Sequence, residues 1–406
     1  MRWFHQMNNM NMVSGKMPQA GTPRQERILI LTTVSGFLGK FEKENVKLLQ
    51  GMGWEVHYAA NPDNPVYLDG TSGFKKEGII FHPIAIAKSP FALIKNFRAY
   101  RQLKKIIKKE NISAIHCHTP VGGLLGRFVG KKFSLKVIYT AHGFHFYKGA
   151  SALNNLIYGK TEKWLAKYTD ALVVINEEDY EAARSFKLKD GGRVYKIPGV
   201  GLDTEKFSPP APEERIKERA ALDVKEDEFL LVSVGELNKN KNHETAVAAA
   251  GALIKKEDLK IKYIICGEGP RRARLEEKII DMNLAQEILL PGYNNSVRKI
   301  LCAADAFVFP SVREGLGMAA LEALAAGIPV IAADNRGSRE YMEDAVNGFI
   351  CYKNNPKEYS ENIKKLMKLS ARELSEMKAD CRKTASGFSK KKTKEVMKKV
   401  YEDILA

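Results

Sequence analysis

The sequence predicts an α/β protein built of two doubly wound parallel sheets that face each other across a cleft. Three observations carry this reading. The chain has 406 residues, room for two to three domains of about 150 residues each. Short runs of apolar and β-branched residues alternate with longer stretches of helical period. The alternation breaks once, in the Gly/Pro-rich passage GVGLDTEKFSPPAPEE (199–214), and then restarts.

Residues 1–26 contain Met, Asn and Gln but no apolar core of a secretion signal, so they read as a disordered lead. From Arg27 the strand-like runs are RILILTT (27–33), WEVHYAA (54–60), GIIFHPI (78–84), AIHCH (114–118), KVIYTAH (136–142), ALVVIN (171–176) and VYKIP (194–198). Near-continuous apolar strands separated by helices imply a sheet covered on both faces. The first domain therefore spans 27–199. The second set is FLLVSVG (229–235), IKYIICGEG (261–269), ILLPGY (288–293), AFVFPS (306–311), PVIAAD (329–334) and GFIC (348–351), which places a second domain over 200–387. A basic stretch over 388–406 reads as a last helix, with the first domain as a candidate surface for it. Ligands of such sheets bind beyond the carboxyl ends of the strands, so function belongs in the cleft.

Composition narrows the class. A hydrophobic content of 44% with 28% charged residues is that of a soluble globular protein, and no run approaches the ~20 apolar residues that cross a bilayer. A net charge of +17 favours an anionic partner: nucleic acid, a membrane surface or a phosphorylated substrate. The five cysteines are scattered and form no CxxC, which fits neither a zinc knuckle nor a disulfide framework and points to a reducing cytoplasm.

The stretch PSVREGLGMAALEALAAGIPVIAADNRG (310–337) holds the chemistry. A strand ends, Glu314 follows in the turn, Gly315 and Gly317 allow close backbone approach, and a helix begins. The N–H groups of Gly315, Leu316, Gly317 and Met318 then face outward at a positive helix end, a site suited to diphosphate. Glu322 is the only charge between Gly315 and Ala333, in a helix otherwise made for packing. Eight residues of helix span about 12 Å, too far for the carboxylate pair of a retaining glycosidase. That separation suits opposite ends of a nucleotide sugar, with Glu314 at the sugar hydroxyls and Glu322 at the ribose diol. Taken singly, each carboxylate has an ordinary reading as a helix-start acid or an ion-pair partner.

At these residues the sequence resembles the retaining glycosyltransferases of family 4, whose E-x7-E hallmark is met by Glu314 and Glu322. The phrases AHGFHFYKGA (141–150), SVGELNKNKNH (233–243) and LCAADAFVFPSVREGL (301–316) resemble bacterial capsular and exopolysaccharide transferases in particular. The resemblance covers Arg27 to Ala406. It implies a GT-B architecture with acceptor binding in the first domain and nucleotide-sugar binding in the second, transfer without metal or other cofactor, and retention at the anomeric carbon. It also implies that Lys241 grips the donor phosphates and that His142 lies near the donor sugar. Gly267 and Tyr293 are the implied contacts of the nucleotide base. Glu236 stands where the family has a second cation, which leaves Arg313 and Arg193 as replacements.

Several residues carry a plainer alternative. Lys241 lies in an exposed-looking run, His142 could simply be a hydrogen-bonded strand end, and turn geometry alone accounts for Gly36 and Gly39 in the acceptor-side loop TVSGFLGKFEKEN (33–45). His116, His118 and His145 give HxH and HxxH spacings, but no Cys or carboxylate completes a zinc pattern, so no metal is expected. The segment 89–111 carries Phe91, Ile94, Phe97 and Ile107 among seven cations, which reads either as a helix lying on an anionic membrane or as a sheet-covering helix with a solvated basic face.

The sequence therefore points to a cytoplasmic transferase, peripheral on the inner face of the cell membrane. It would move a sugar from a nucleotide diphosphate, UDP above all, to a lipid-linked or growing saccharide acceptor. Two alternatives remain at this level. A UDP-sugar 2-epimerase shares the architecture but needs acid/base groups that E-x7-E does not provide. A basic scaffold binding membrane or nucleic acid leaves Glu322 unexplained; nucleic acid is not expected as a partner.

Overall fold

The structure is a computed structural model and describes residues 25–63 and 73–405. The lead over residues 1–26 lies outside them except for its last two positions. The first sheet contains β1 (Arg27–Leu31), β2 (Glu55–Ala60), β3 (Ile80–Pro83), β4 (Ala114–His118), β5 (Lys136–Ala141), β6 (Ala171–Val174) and β7 (Arg193–Lys196) in the order β3-β2-β1-β4-β5-β6-β7. The second contains β8 (Phe229–Val234), β9 (Ile261–Cys266), β10 (Ile288–Gly292), β11 (Ala306–Phe309), β12 (Val330–Ala333) and β13 (Gly348–Cys351) in the order β10-β9-β8-β11-β12-β13. All pairings are parallel. The doubly wound α/β class read from the alternation is thus the class observed.

Helices cover both faces of each sheet, which is why strands such as AIHCH and ALVV are buried at every residue. On helix Pro120–Phe133 the residues Gly123, Gly126 and Gly130 form a bare stripe. A Cβ on Gly126 would stand 2.7 Å from Cys117, and one on Gly130 2.2 Å from Val137. The helix therefore lies tight on β4 and β5, the strands that end in His118 and Ala141. All five cysteines are buried and unpaired.

Strand order reverses between β1 and β4 and again between β8 and β11, and these switch points open crevices at the carboxyl ends of the strands. The two crevices face each other. One side of the cleft is fastened. Arg336 of the second domain forms a buried ion pair with Asp179 of the first at 2.7 Å and donates to the Phe144 carbonyl at 2.7 Å. Asn176 donates to the Gly315 carbonyl at 2.9 Å, and Lys196 pairs with both Glu177 and Glu340.

The chain passes between domains twice. The outgoing and returning segments lie side by side, with the Leu202 N–H donating to Phe388 and the Lys390 N–H donating to Leu202. Helix Lys390–Leu405 then buries Met397, Val400, Tyr401 and Ile404. Tyr401 Oη lies 3.0 Å from His116 Nδ1, and Asp403 accepts from Tyr195 at 2.9 Å. The last helix follows the second domain in sequence and completes the first in space.

Candidate functional site

The loop after β11 is held from three sides before its helix begins. Asn335 donates to the Ser311 carbonyl at 2.9 Å, Asn240 to the Arg313 carbonyl at 2.9 Å, and Arg336 Nε to the Glu314 carbonyl at 3.2 Å. Gly315 lies against the first domain so closely that a Cβ would stand 2.1 Å from the His142 carbonyl oxygen. Gly317 adopts φ +97°, with Phe309 and Tyr341 where a side chain would go. These two glycines aim the start of helix Met318–Ala325 into the cleft. Among the described residues, the N–H groups of Gly315, Leu316, Gly317, Met318 and Ala319 have no backbone acceptor. They form a cluster of donors at a positive helix end, an arrangement chemically able to receive an anion.

Lys241 Nζ stands 2.5 Å from Glu314 Oε1 beside this cluster, and it also faces the Phe309 ring at 5.5 Å. One turn and a half further on, Glu322 is half-buried and its carboxyl makes no hydrogen bond or ion-pair contact among the described residues. Burial pushes its carboxyl up to about 7, against the opposing pull of the Lys40 and Lys206 ammoniums. A carboxyl placed this way lacks the partner that a structural ion pair would supply.

The first domain presents a different kind of wall. Helical backbone starts just after β1 and includes a π-helical turn, Leu38–Glu42, which turns Glu42 inward. Glu42 Oε2 accepts from Asn45 at 2.7 Å, and Oε1 faces His118 Nδ1 at 3.6 Å. His118 Nδ1 is 3.1 Å from His142 Nε2, and Phe37 covers both rings at 5.5 and 5.2 Å. Behind them, His116 bonds Thr140 at 2.8 Å as well as Tyr401. Burial drives Glu42 up to about 8, His142 down to about 4, His116 down to about 3 and His118 well below the ordinary imidazole range. Burial thus disfavours charge on every member of the cluster.

Residues 27–176 match the family described as Glycosyl transferase 4-like, and residues 214–387 match Glycosyl transferases group 1. The chain belongs to the group 1 glycosyltransferases. The glycosyltransferase is 38% identical over 382 residues to EpsD of Bacillus subtilis (strain 168), itself named as a glycosyltransferase; the match covers 93% of this chain and 96% of EpsD. It is 31% identical over 319 residues to the UDP-Gal:alpha-D-GlcNAc-diphosphoundecaprenol alpha-1,3-galactosyltransferase of Escherichia coli, covering 77% and 81% of the two chains. Among solved structures, Anabaena Alr3699/HepE in complex with UDP and glucose superposes with a TM-score of 0.74 at 16% identity, over 93% of this chain and 99% of that one. The fold is GT-B.

In this glycosyltransferase Glu314, Lys241, Gly315, Gly317 and Met318 come together at the second-domain face, with His142 opposite them on the first. Leu316 belongs to the same loop, but its side chain is buried under Gly199, so only its backbone faces the cleft. Gly267 packs against the Gly235 carbonyl, where a Cβ would stand 1.9 Å away, and so joins the ends of β8 and β9. Tyr293 is exposed on the loop after β10. Gly36 is buried in the first helical turn and Gly39 lies within the π-helical one. Glu236 is exposed. Of the two replacement cations, Arg193 is at the start of β7, paired with Asp403 at 3.3 Å and at the opposite end of the strand from the cleft. Arg313 is at the cleft, its guanidinium over the Tyr147 ring at 5.2 Å.

Two expectations change. His145 does not join the other histidines: its ring packs on Tyr158 at 5.2 Å. Glu42 takes that place, so a carboxylate does complete the cluster, with His118 and His142. Ile107 does not share the face of Phe91, Ile94 and Phe97. It is 3% exposed and packs inward with Ala99 and Leu103, while Phe91, Ile94 and Phe97 stand 64–87% exposed. Sequence reasoning also missed Arg336, Asp179 and Asn176, which fasten the domains. An acid three residues after an Asn at a strand end is a helix-cap signal, and it was available in NEED (176–179).

Proposed function

We propose that the chain is a retaining, metal-independent glycosyltransferase that moves a sugar from a UDP-sugar to a lipid-linked or growing saccharide acceptor in surface polysaccharide synthesis. The observation that carries this reading is the set of unpaired N–H groups from Gly315 to Ala319, flanked by Lys241–Glu314 on one side and the unpartnered Glu322 on the other. A nucleotide sugar laid along it meets a diol-binding carboxyl, a diphosphate cradle and a carboxylate for sugar hydroxyls, in that order. The donors and Lys241 stabilise the charge that develops on the leaving diphosphate, which is the task a metal performs elsewhere.

Glu314 orients the sugar, and His142 borders its other side from the first domain. The resemblance to the retaining family supports an acceptor hydroxyl that approaches from the face the diphosphate leaves, so that the configuration is kept. The E. coli relative named above acts on a diphosphoundecaprenol-linked sugar, which supports a lipid-linked acceptor. The exposed group Phe91, Leu93, Ile94 and Phe97, beside Lys95, Arg98 and Arg101, supports docking on the anionic inner face of the membrane.

The deciding experiment incubates the protein with a panel of UDP-sugars and a membrane lipid extract and follows UDP release with and without extract. Release that depends on one sugar and on the extract is the expected result. No release with any sugar, together with no UDP binding, would refute the reading.

A further inference from the structure

We propose that helix Ala152–Ala166 is a second membrane-inserting element, which together with helix Leu93–Lys109 lays one face of the first domain on an anionic bilayer with the cleft opening at the headgroups. The inference rests on the docking of Leu93–Lys109 given above and supplies the rest of the surface. Helix Ala152–Ala166 is amphipathic the wrong way round. Its inward side is Gly159, set against Phe146, and Glu162, which pairs with the buried Arg127 at 2.7 Å. Its outward side is Leu153, Leu156, Ile157 and Trp164, 48–65% exposed. At 3.6 residues per turn these four share about 100° of the helix surface with Lys160. A surface helix normally turns such a stripe to the core. Among the described residues, eight of the fourteen large apolar side chains left exposed stand on these two helices or in the turn before Leu93, and the other six are spread over both domains. Exposed apolar groups that stand singly are ordinary, whereas a grouped set marks a contact surface.

The two helices flank a third. Helix Pro120–Phe133 packs on Leu93–Lys109, where Leu125 and Leu103 belong to one core cluster. On its other flank Phe128 meets the Trp164 ring edge-on at 5.6 Å. Its own outward residues Leu124 and Phe128 are half-buried and Lys131 and Lys132 exposed, so the surface is continuous across all three. Each helix is a crossover between parallel strands and starts at the carboxyl ends that border the cleft. Leu93, Ile94, Leu153 and Ile157 stand at that end. There the Tyr147 N–H donates to Asn155 at 3.0 Å, which ties helix Ala152–Ala166 to the loop whose Tyr147 ring faces Arg313.

Charge decides the occupant. The three helices carry twelve Lys and Arg against one acid, Glu162, and that acid is turned inward. This surplus is most of the net +17 of the chain. A second copy would bring the same cations to the same face, which like-charge repulsion opposes. An anionic bilayer takes the cations at its headgroups and the apolar groups beneath them. A lipid-linked sugar then enters the cleft while its lipid stays in the bilayer.

Trp164 reports the contact in the full-length protein. With vesicles of phosphatidylglycerol and phosphatidylcholine in equal parts, brominated near the top of the acyl chains, tryptophan emission should be quenched in the parent and much less so in Trp164→Phe. Leu153→Glu with Ile157→Glu should lower the vesicle partition coefficient about tenfold or more, with the thermal midpoint and UDP affinity of the parent, because both side chains are exposed. Leu153→Ser with Ile157→Ser, which adds no charge, should lower it as well. Should the Glu pair disturb folding, the Ser pair and Trp164→Phe decide.

A parent that binds these vesicles with the same quenching as Trp164→Phe, or with a partition coefficient that neither pair changes, overturns the proposal and leaves the docking of Leu93–Lys109 standing. So does a parent that is dimeric in solution and becomes monomeric in the Glu pair, since a second copy then covers the stripe. A parent that binds no anionic vesicle refutes the docking reading itself, and the proposal with it.

Discussion

Glu322 is the residue on which the donor reading can be tested most sharply. If it accepts from the ribose diol, Glu322→Gln exchanges a carboxylate acceptor for an amide and should weaken UDP-sugar binding by about 1.5–3 kcal/mol, roughly tenfold to a hundredfold. The fold should not suffer. A carboxyl raised to about 7 in the folded state favours folding below its unfolded value and gives that contribution up as the pH rises through 7, so at pH 8 the substitution removes a cost. The same sign fixes the pH dependence of binding: affinity should climb as the pH rises through about 7 and lose that climb in Glu322→Gln. Calorimetric titration with UDP at pH 6 and pH 8 checks both, and equal affinities in parent and variant would make Glu322 a packing residue. This pair of carboxylates was legible because it is local, eight positions apart on one loop and helix. Glu42 was not. It is separated by 76 positions from His118 and 100 from His142, and nothing in KFEKEN distinguishes it from Glu44, which stays on the surface side.

Two elements carry predictions of their own. If the diphosphate lies where we propose, the start of helix Met318–Ala325, with five N–H groups that find no acceptor among the described residues and Lys241 beside it, leaves it no need of a divalent ion. Transfer in EDTA should run at nearly the rate seen with added manganese, and a rate abolished by chelator and restored by metal would contradict this. Helix Leu93–Lys109 has two occupations at once. Ala99, Leu103 and Ile107 cover the sheet, whereas Leu93, Ile94 and Phe97 face outward with the cations. The sequence pattern merged these faces because Ile107 falls at a helical-looking interval from Phe97, although at 100° per residue it lies about 140° around the axis from Ile94. Ile94→Glu with Phe97→Glu should release the protein from vesicles of anionic lipid, since both burial of apolar groups and the charge match are lost. UDP binding should be retained. Sedimentation with vesicles measures it, and a variant that still sediments as the parent does would leave the helix a sheet cover alone.

At the scale of the whole molecule, the architecture was readable from alternation because each βα unit buries its own strand, and so each run declares itself without knowledge of the rest. The fastening of the domains was not, since Arg336–Asp179 joins residues 157 positions apart. Acid sensitivity is a property of the whole as well. Burial lowers His116 to about 3, His142 and His243 to about 4, and His118 further, while Glu42 rises to about 8 and Glu322 to about 7. The imidazoles contribute stability above their unfolded value near 6.5 and lose it as the pH falls toward 4; the carboxyls lose theirs as the pH rises through 7 and 8. Four imidazoles outweigh two carboxyls below 6.5, each unbalanced proton being worth about 1.4 kcal/mol per pH unit. The thermal midpoint should therefore fall from pH 7 to pH 5, and a midpoint that holds or rises over that interval would show that the buried histidines take up protons without unfolding. A different consequence follows from the last helix. Since Tyr401 reaches His116 and the two crossing segments are bonded at Leu202, the second domain should not be exchangeable with that of a relative by a single cut. A functional hybrid must carry two junctions, one near residue 200 and one near residue 388, and keep the final helix with the half it completes.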